Sequence, residues 1–421
     1  MGSVTKQALE RIKPSNEEKS LFNNITSSFI TQLNKKLSGA KAILGGSGAK
    51  DTWLSKNHDI DVFVKYDYTQ YKDKSSQLSE IAEKSLKKAF PKLTHKRLHG
   101  SRDYFQVVYK TYVFEVVPIL TITKSEKAVN ITDISPLHAG WVNKHAKTVK
   151  DDIRLAKKFM RANRLYGAES YIGGFSGYVL EILTVYYGSF DKLLQSCLKW
   201  KSKEIVDPSK FYKGKSALFH LNKSKTQSPL IVVDPVDKSR NAAAALSEES
   251  VTKLKEIVRK YVRKPDISFF ERKEIVLADL TQEAQKKKQH VVAIQFVPRG
   301  DKTDVAGSKL VKVFNFCKKE LQPFGIKKFG WDWNTHDRAT IYFFVSLNKR
   351  EKYEVRIGPP LKMKDAVINF KKKNKSTFME KGKIKTKVTV QYPQLDDFVR
   401  NMVKEKYVTE KVTKIKVVKI I

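Results

Sequence analysis

Gly45-Gly46-Ser47, followed after a helix-sized gap by Asp59-Ile60-Asp61-Val62-Phe63-Val64, is the stretch on which the fold turns. Side chains alternate along a strand, so Asp59 and Asp61 project to one side while Ile60, Val62 and Val64 enter a core. Two carboxylates side by side on a buried strand repel each other unless a cation lies between them, and a divalent metal is the simplest such cation. The glycine turn upstream supplies free backbone N–H groups able to hold a phosphate. Metal beside phosphate is the layout of a nucleotidyl-transfer site.

Working outward, residues 15–38 read as an amphipathic helix, with Leu21, Ile25, Phe29 and Leu33 recurring at a spacing of four. A strand at 41–46, a short helix around 48–55 and a strand at 59–65 follow. A helix over 74–90 carries Leu78, Ile81, Ala82, Leu86 and Phe90, and strands at 103–110 and 111–120 form an antiparallel pair. From 144 to 263 the pattern is mostly helical, and the last helix runs from a capping Ser247 to Arg263-Lys264-Pro265. The segment 206–241 carries short strands and loops. Beyond 266, strands and helices alternate: strands at 291–296, 326–331, 339–345, 388–392 and 411–421, with helices at 306–321, 363–373 and 395–405. Pro359-Pro360 breaks the chain before the helix at 363. The pattern is that of an α+β multidomain chain, divided at 1–142, 143–264 and 265–421.

The 421 residues carry 82 Lys and Arg against 44 Asp and Glu, a net charge of +38. An excess of that size points to a polyanion, and beside a phosphate-chemistry motif it points to nucleic acid. Residues 371–390 hold eight lysines and one glutamate, read either as a solvated face or as a contact for a phosphate backbone. No apolar run is long enough to span a membrane, and the N-terminus lacks a signal-peptide core. Cys197 and Cys317 stand far apart, which excludes a disulfide framework or zinc site and fits a reducing cytoplasm.

Nucleotidyl transfer to a hydroxyl by a two-metal mechanism calls for carboxylates that hold both ions. Asp59 and Asp61 supply two, and Glu115, within Val113-Phe114-Glu115-Val116-Val117-Pro118, is the best third, since an acid inside an apolar strand needs a reason. The bland alternative for Glu115 is a solvent-facing residue of an edge strand. Asp103 is a weaker third acid beside Arg102. Asp51 reads as a helix N-terminal residue, and His58 points away from Asp59 and is left out. Gly48 allows close backbone approach, while Gly46, Ser47 and Lys50 can hold phosphates. An exposed lysine on a capped turn is the bland reading of Lys50.

These residues resemble the DNA polymerase β-type nucleotidyltransferase superfamily and, within it, the archaeal (class I) CCA-adding enzymes. Further matching runs are Asp133-Ile134-Ser135-Pro136-Leu137-His138, Leu165-Tyr166-Gly167-Ala168-Glu169, Gly174-Phe175-Ser176-Gly177-Tyr178, Asp234-Pro235-Val236-Asp237 with Arg240-Asn241, and Arg356-Ile357-Gly358-Pro359-Pro360. The resemblance implies a nucleotidyltransferase head (mixed sheet with helices), a helical neck, an α+β body and a basic α/β tail. It implies stepwise addition of C, C and A to the 3′ end of tRNA from CTP and ATP, with Mg²⁺ as cofactor. By position it places Ser135, His138, Lys157 and Tyr166 around the triphosphate and sugar, and Arg240 at the base. Two departures stand out: the family often has Glu first and Asp third where this chain has Asp59 and Glu115, and arginine is common where it has Lys50. Lysine keeps the charge and loses bidentate phosphate binding. Two other readings stay open, a poly(A) or terminal uridylyl transferase of the same superfamily and a non-catalytic RNA-binding protein. So does a homodimer.

Overall fold

The computed structural model describes residues 2–56, 59–300, 302–335 and 338–420, so His58 lies outside the described residues. The chain forms two compact units, Met1–Arg272 and Lys273–Ile421. In the first, α1 (Ser3–Ile12), α2 (Asn16–Asn34), β1 (Ala40–Leu44), α3 (Gly46–Lys50) and β2 (Asp59–Tyr66) lead to the single turn α4 (Tyr68–Tyr71). Then come α5 (Leu78–Ala89), β3 (His95–Leu98), β4 (Tyr104–Tyr109) and β5 (Tyr112–Leu120). The five strands lie in the order β1-β2-β5-β4-β3, with β2 and β5 parallel and the other pairs antiparallel.

One face of this sheet is covered by α2 and α5. Phe22, Ile25, Phe29 and Leu33 of α2 and Leu78, Ala82 and Leu86 of α5 form one core there with Ile60, Val62, Val64, Phe114 and Val116. Leu21 was expected on that stripe but is 53% exposed, and Phe22 takes its place. A strict spacing of four drifts around a helix of 3.6 residues per turn, so the stripe must take a step of three. Ser15 caps α2 by accepting from the Glu18 N–H. The strand expected to end in the glycines stops at Leu44, and Gly46 opens the short helix instead. The expected order also omitted α1, α4 and the short edge strand β3.

The remainder of the first unit comprises α6 (Ser135–His145), α7 (Lys150–Ala162), α8 (Gly177–Tyr187), α9 (Phe190–Lys199), β6 (Glu204–Val206), α10 (Ala217–His220), β7 (Leu230–Asp234), β8 (Asp237–Asn241) and α11 (Glu248–Arg263). Leu155, Phe159, Leu180, Leu183, Leu254 and Val258 form its core, which also takes in Ala8 and Ile12 of α1 and Leu54. Ser247 caps α11 through the Ser250 N–H, as its sequence predicts.

The second unit holds α12 (Leu277–Lys286), β9 (His290–Pro298), α13 (Thr303–Glu320), β10 (Ile326–Trp333), β11 (Ala339–Val345), β12 (Tyr353–Pro360), α14 (Lys364–Lys373), β13 (Thr377–Glu380), β14 (Lys383–Thr389), α15 (Leu395–Met402), α16 (Lys406–Thr409) and β15 (Val412–Ile420). They build two antiparallel sheets, β10-β11-β9-β15 and β12-β14-β13. The strand expected at 388–392 is β14, displaced toward the N-terminus. Pro359-Pro360 ends β12 rather than standing between elements, which an edge strand tolerates because its outer N–H groups need no partner. Among the described residues no helix is long and apolar enough to cross a membrane.

Candidate active site

The parallel pairing of β2 with β5 sets Asp61 directly against Glu115 and Asp59 against Val113. Since Ile60, Val62, Phe114 and Val116 fill the core beneath the sheet, the three acids share its opposite face. Glu115 is therefore on an interior strand, flanked by β2 and β4, and not on a sheet edge. Its Oε1 accepts from Nε2 of Gln106, its register partner on β4, at 2.8 Å.

Gly46 approaches this face as closely as backbone can. Its φ is +52°, and a β-carbon added there would lie 1.7 Å from Oδ2 of Asp61. The Gly45 N–H donates to the Asp61 carbonyl at 2.8 Å, which locks the turn to the acid strand. Asp61 is pushed up to about 6 by burial first and then by the negative charge of Glu115, with a smaller push from Asp59 and a partial offset from Lys50. Such a carboxylate is short of positive charge. Hard oxygen donors on one face, one of them held above its usual range by burial and then by its acidic neighbours, fit a divalent cation. Among the described residues no three His, Cys, Asp or Glu side chains form a ready-made metal cage.

The far end of the turn is held by α7. Buried Arg154 donates to the Trp53 carbonyl at 3.0 Å and to the carbonyl and carboxylate of Asp51, each at 2.7 Å. Lys157 reaches the Thr52 carbonyl at 3.2 Å, so three successive carbonyls after α3 are satisfied by one helix. Asp51 is thus not a helix N-terminal residue: it ends α3 in the left-handed region with φ 48°.

Lys50 and Lys157 converge on Glu181 of α8, which is fully buried. Its Oε2 accepts from Lys50 at 2.6 Å and its Oε1 from Lys157 at 2.7 Å and from the Thr52 hydroxyl at 2.8 Å. Burial opposes the charge on Glu181, but the two ammonium groups outweigh it and hold the carboxyl down at about 2. Burial pushes Lys157 down to about 8, with Glu181 pulling the other way. Lys50 is therefore not the exposed lysine of its bland reading, and Lys157 is buried beside it.

A second cluster forms around Asp234 at the end of β7, also fully buried. It accepts from Nε2 of His138 at 3.0 Å, from Arg240 at 2.6 Å and from the Tyr178 hydroxyl at 3.0 Å. The His138 ring stacks on Tyr178 with centroids 4.0 Å apart, and Lys50 lies over the same Tyr178 ring at 5.9 Å. Tyr178 and Glu181 are three residues apart on α8, hence on one helix face, and so join the two clusters. Ser135 opens α6 and Ser47 lies in α3, both half-buried. Tyr166 is covered by the Arg161 guanidinium at 4.4 Å, and a β-carbon at Gly177 would meet its hydroxyl at 2.8 Å. Asp103 pairs with Arg97 and His99, while Arg102, its expected partner, is bound to Asp133.

Residues 27–122 match the nucleotidyltransferase domain family and residues 151–271 match the second domain of tRNA nucleotidyltransferase. The CCA-adding enzyme of Nanoarchaeum equitans is 33% identical over 386 residues, spanning 90% of this chain and 92% of that protein. The chain belongs to the CCA-adding enzyme family. The Methanosarcina acetivorans member is 27% identical over 411 residues, 93% of this chain and 87% of its own. In fold the chain is similar to the poly(U) polymerase Cid1 bound to MgATP, with a TM-score of 0.50 at 13% identity, over 64% of this chain and 98% of that one.

Thr52, Glu181 and Asp234 hydrogen-bond to the candidate residues Lys50, Lys157, His138 and Arg240, and Tyr178 to Asp234, without any of the four having been singled out from sequence. Glu181 and Asp234 carried the same signal as Glu115, an acid within an apolar run: Glu181 in Val179–Leu183 and Asp234 after Leu230–Val233. Asp234 and Tyr178 fall inside matched motifs, but no role was attached to either.

Proposed function

We propose that the protein adds C, C and A in turn to the 3′ end of tRNA from CTP and ATP, releasing pyrophosphate at each step. The observation that carries this reading is the register of Asp61 against Glu115, with Gly46 pressed on the Asp61 carboxylate, in a chain of the CCA-adding family. Asp59, Asp61 and Glu115 would hold Mg²⁺, which when bound activates the 3′ hydroxyl of the RNA and neutralises the triphosphate. Gly46 and Ser47 offer backbone and hydroxyl donors at the turn beside those acids. Lys50 and Lys157 share one carboxylate, so their cluster keeps a net positive charge at the foot of the turn, where a triphosphate needs it. Arg240 has one nitrogen held by Asp234, and its remaining donors are available to a base edge. His138 is held by the same carboxylate, and Ser135 and Tyr166 complete the proposed nucleotide contacts.

The test is incubation of the purified protein with Mg²⁺, tRNA lacking CCA, and labelled CTP and ATP. Addition that stops after three nucleotides, C then C then A, is the expected result. A homopolymer tail would place the protein with the poly(A) or uridylyl transferases instead. No Mg²⁺-dependent addition at all would leave only an RNA-binding protein.

A further inference from the structure

Phe219 is 88% exposed, the most exposed large apolar side chain among the described residues. It sits in the segment between β6 and β7, where residues 208–233 hold five lysines and no aspartate or glutamate. The exposure follows from how α10 packs. Ala217 and Leu221, four residues apart, face inward onto Ile231 and Val233, which turns Phe219 to the opposite side. Phe211 of the same segment is also exposed, as are Lys210, Lys213 and Lys223.

The segment is fastened to the strand that carries Arg240. The Tyr212 hydroxyl donates to the Lys238 carbonyl and the Lys225 ammonium to the Ser239 carbonyl, both at 2.7 Å. Nδ2 of Asn241 donates to the Lys225 carbonyl at 2.8 Å, and the Ser209 hydroxyl to the Pro235 carbonyl at 3.2 Å. A segment with an exposed ring and exposed lysines, bordered by Asp207 and Asp237, is thus tied by hydrogen bonds to both ends of β8.

We propose that this segment docks the unpaired 3′-terminal nucleotides of the RNA substrate, with Phe219 as a stacking platform and Lys210, Lys213 and Lys223 against the phosphates. A duplex would use the lysines but has no free base face for the ring, whereas unpaired nucleotides use both. A second copy of the same segment is disfavoured, since like charges would meet. The proposal rests on the reading that the substrate is an RNA 3′ end, and it adds the surface that receives that end.

The experiment uses the full-length protein without nucleotides. One RNA is a tRNA lacking CCA with 2-aminopurine at its unpaired 3′-terminal position, and the other is a blunt acceptor duplex with no unpaired nucleotide. Wild type should quench the 2-aminopurine on binding. Phe219→Ala should abolish the quench and raise Kd for the tRNA about tenfold, leave the blunt duplex unchanged, and be rescued by Phe219→Trp. Lys210→Ser combined with Lys223→Ser should weaken tRNA binding and flatten its salt dependence. Because the ring is solvent-facing, thermal melting of Phe219→Ala should match wild type, which separates a docking role from a folding one. Unchanged tRNA affinity, an equal loss on the blunt duplex, or loss of self-association in place of RNA binding would each overturn the proposal. Binding as described without any addition of C or A would instead sink the proposed activity and leave this surface standing.

Discussion

Gly46 and Asp61 share a space that admits no extra atom. A side chain at 46 would need both a left-handed backbone, at φ +52°, and displacement of the Asp61 carboxylate, whose Oδ2 would be 1.7 Å from the new carbon. Gly46→Ala is expected to cut single-turnover addition by roughly a hundredfold or more, because an ångström of misplacement at a reacting centre costs that much. Tight tRNA binding should persist, measured by filter retention. Asp61 pays for its position with an unfavourable ionised state, produced by burial and by Glu115. Asp61→Asn should therefore abolish addition while raising the melting temperature of the metal-free protein, by an amount on the order of 1–2 kcal/mol in stability. A lower melting temperature in calorimetry would show that the acid is better compensated than its neighbours suggest.

At the scale of elements, α8 is the connector. It sends Tyr178 to the Asp234 cluster and Glu181 to Lys50 and Lys157, and through Lys50 it touches the short helix that opens with Gly46. Glu181→Gln would leave two buried ammonium groups without the one carboxylate that both of them bond. The expected cost is about 3–5 kcal/mol in urea unfolding, and replacing Lys157 and Glu181 together by Met and Leu should recover part of it. The pH dependence has a definite sign. Glu181 is held below its ordinary 4.5, down to about 2, so its contribution is complete above the ordinary value and is lost as pH falls toward 2. Glu181→Gln should remove that slope from the acid limb of the stability curve, as followed by circular dichroism. Equal slopes in both proteins would assign acid unfolding to other carboxylates.

For the whole molecule the dominant quantity is the charge of +38, to which lysines in both units contribute. If the polyanion is tRNA, affinity should fall steeply with salt, by about a thousandfold between 50 and 200 mM KCl, because each phosphate contact releases counterions. A shallow dependence would assign the excess to solubility alone.

What the order of residues determined by itself was everything governed by local period. Asp59 and Asp61 flanking Ile60 fixed which side of the strand bears acid, because alternation is a property of a single strand. The cap at Ser247 and the stop at Pro265 were legible for the same reason. Phase errors arose where period alone is loose: Leu21 for Phe22 on α2, and 388–392 for Lys383–Thr389. Only the tertiary structure decided who neutralises whom. Glu181 meets Lys50 across 131 positions of chain and Asp234 meets His138 across 96, and no local pattern encodes such a pairing. A buried charge takes whichever opposite charge the packing of distant elements brings within hydrogen-bond reach, so its partner is known only once the chain has folded.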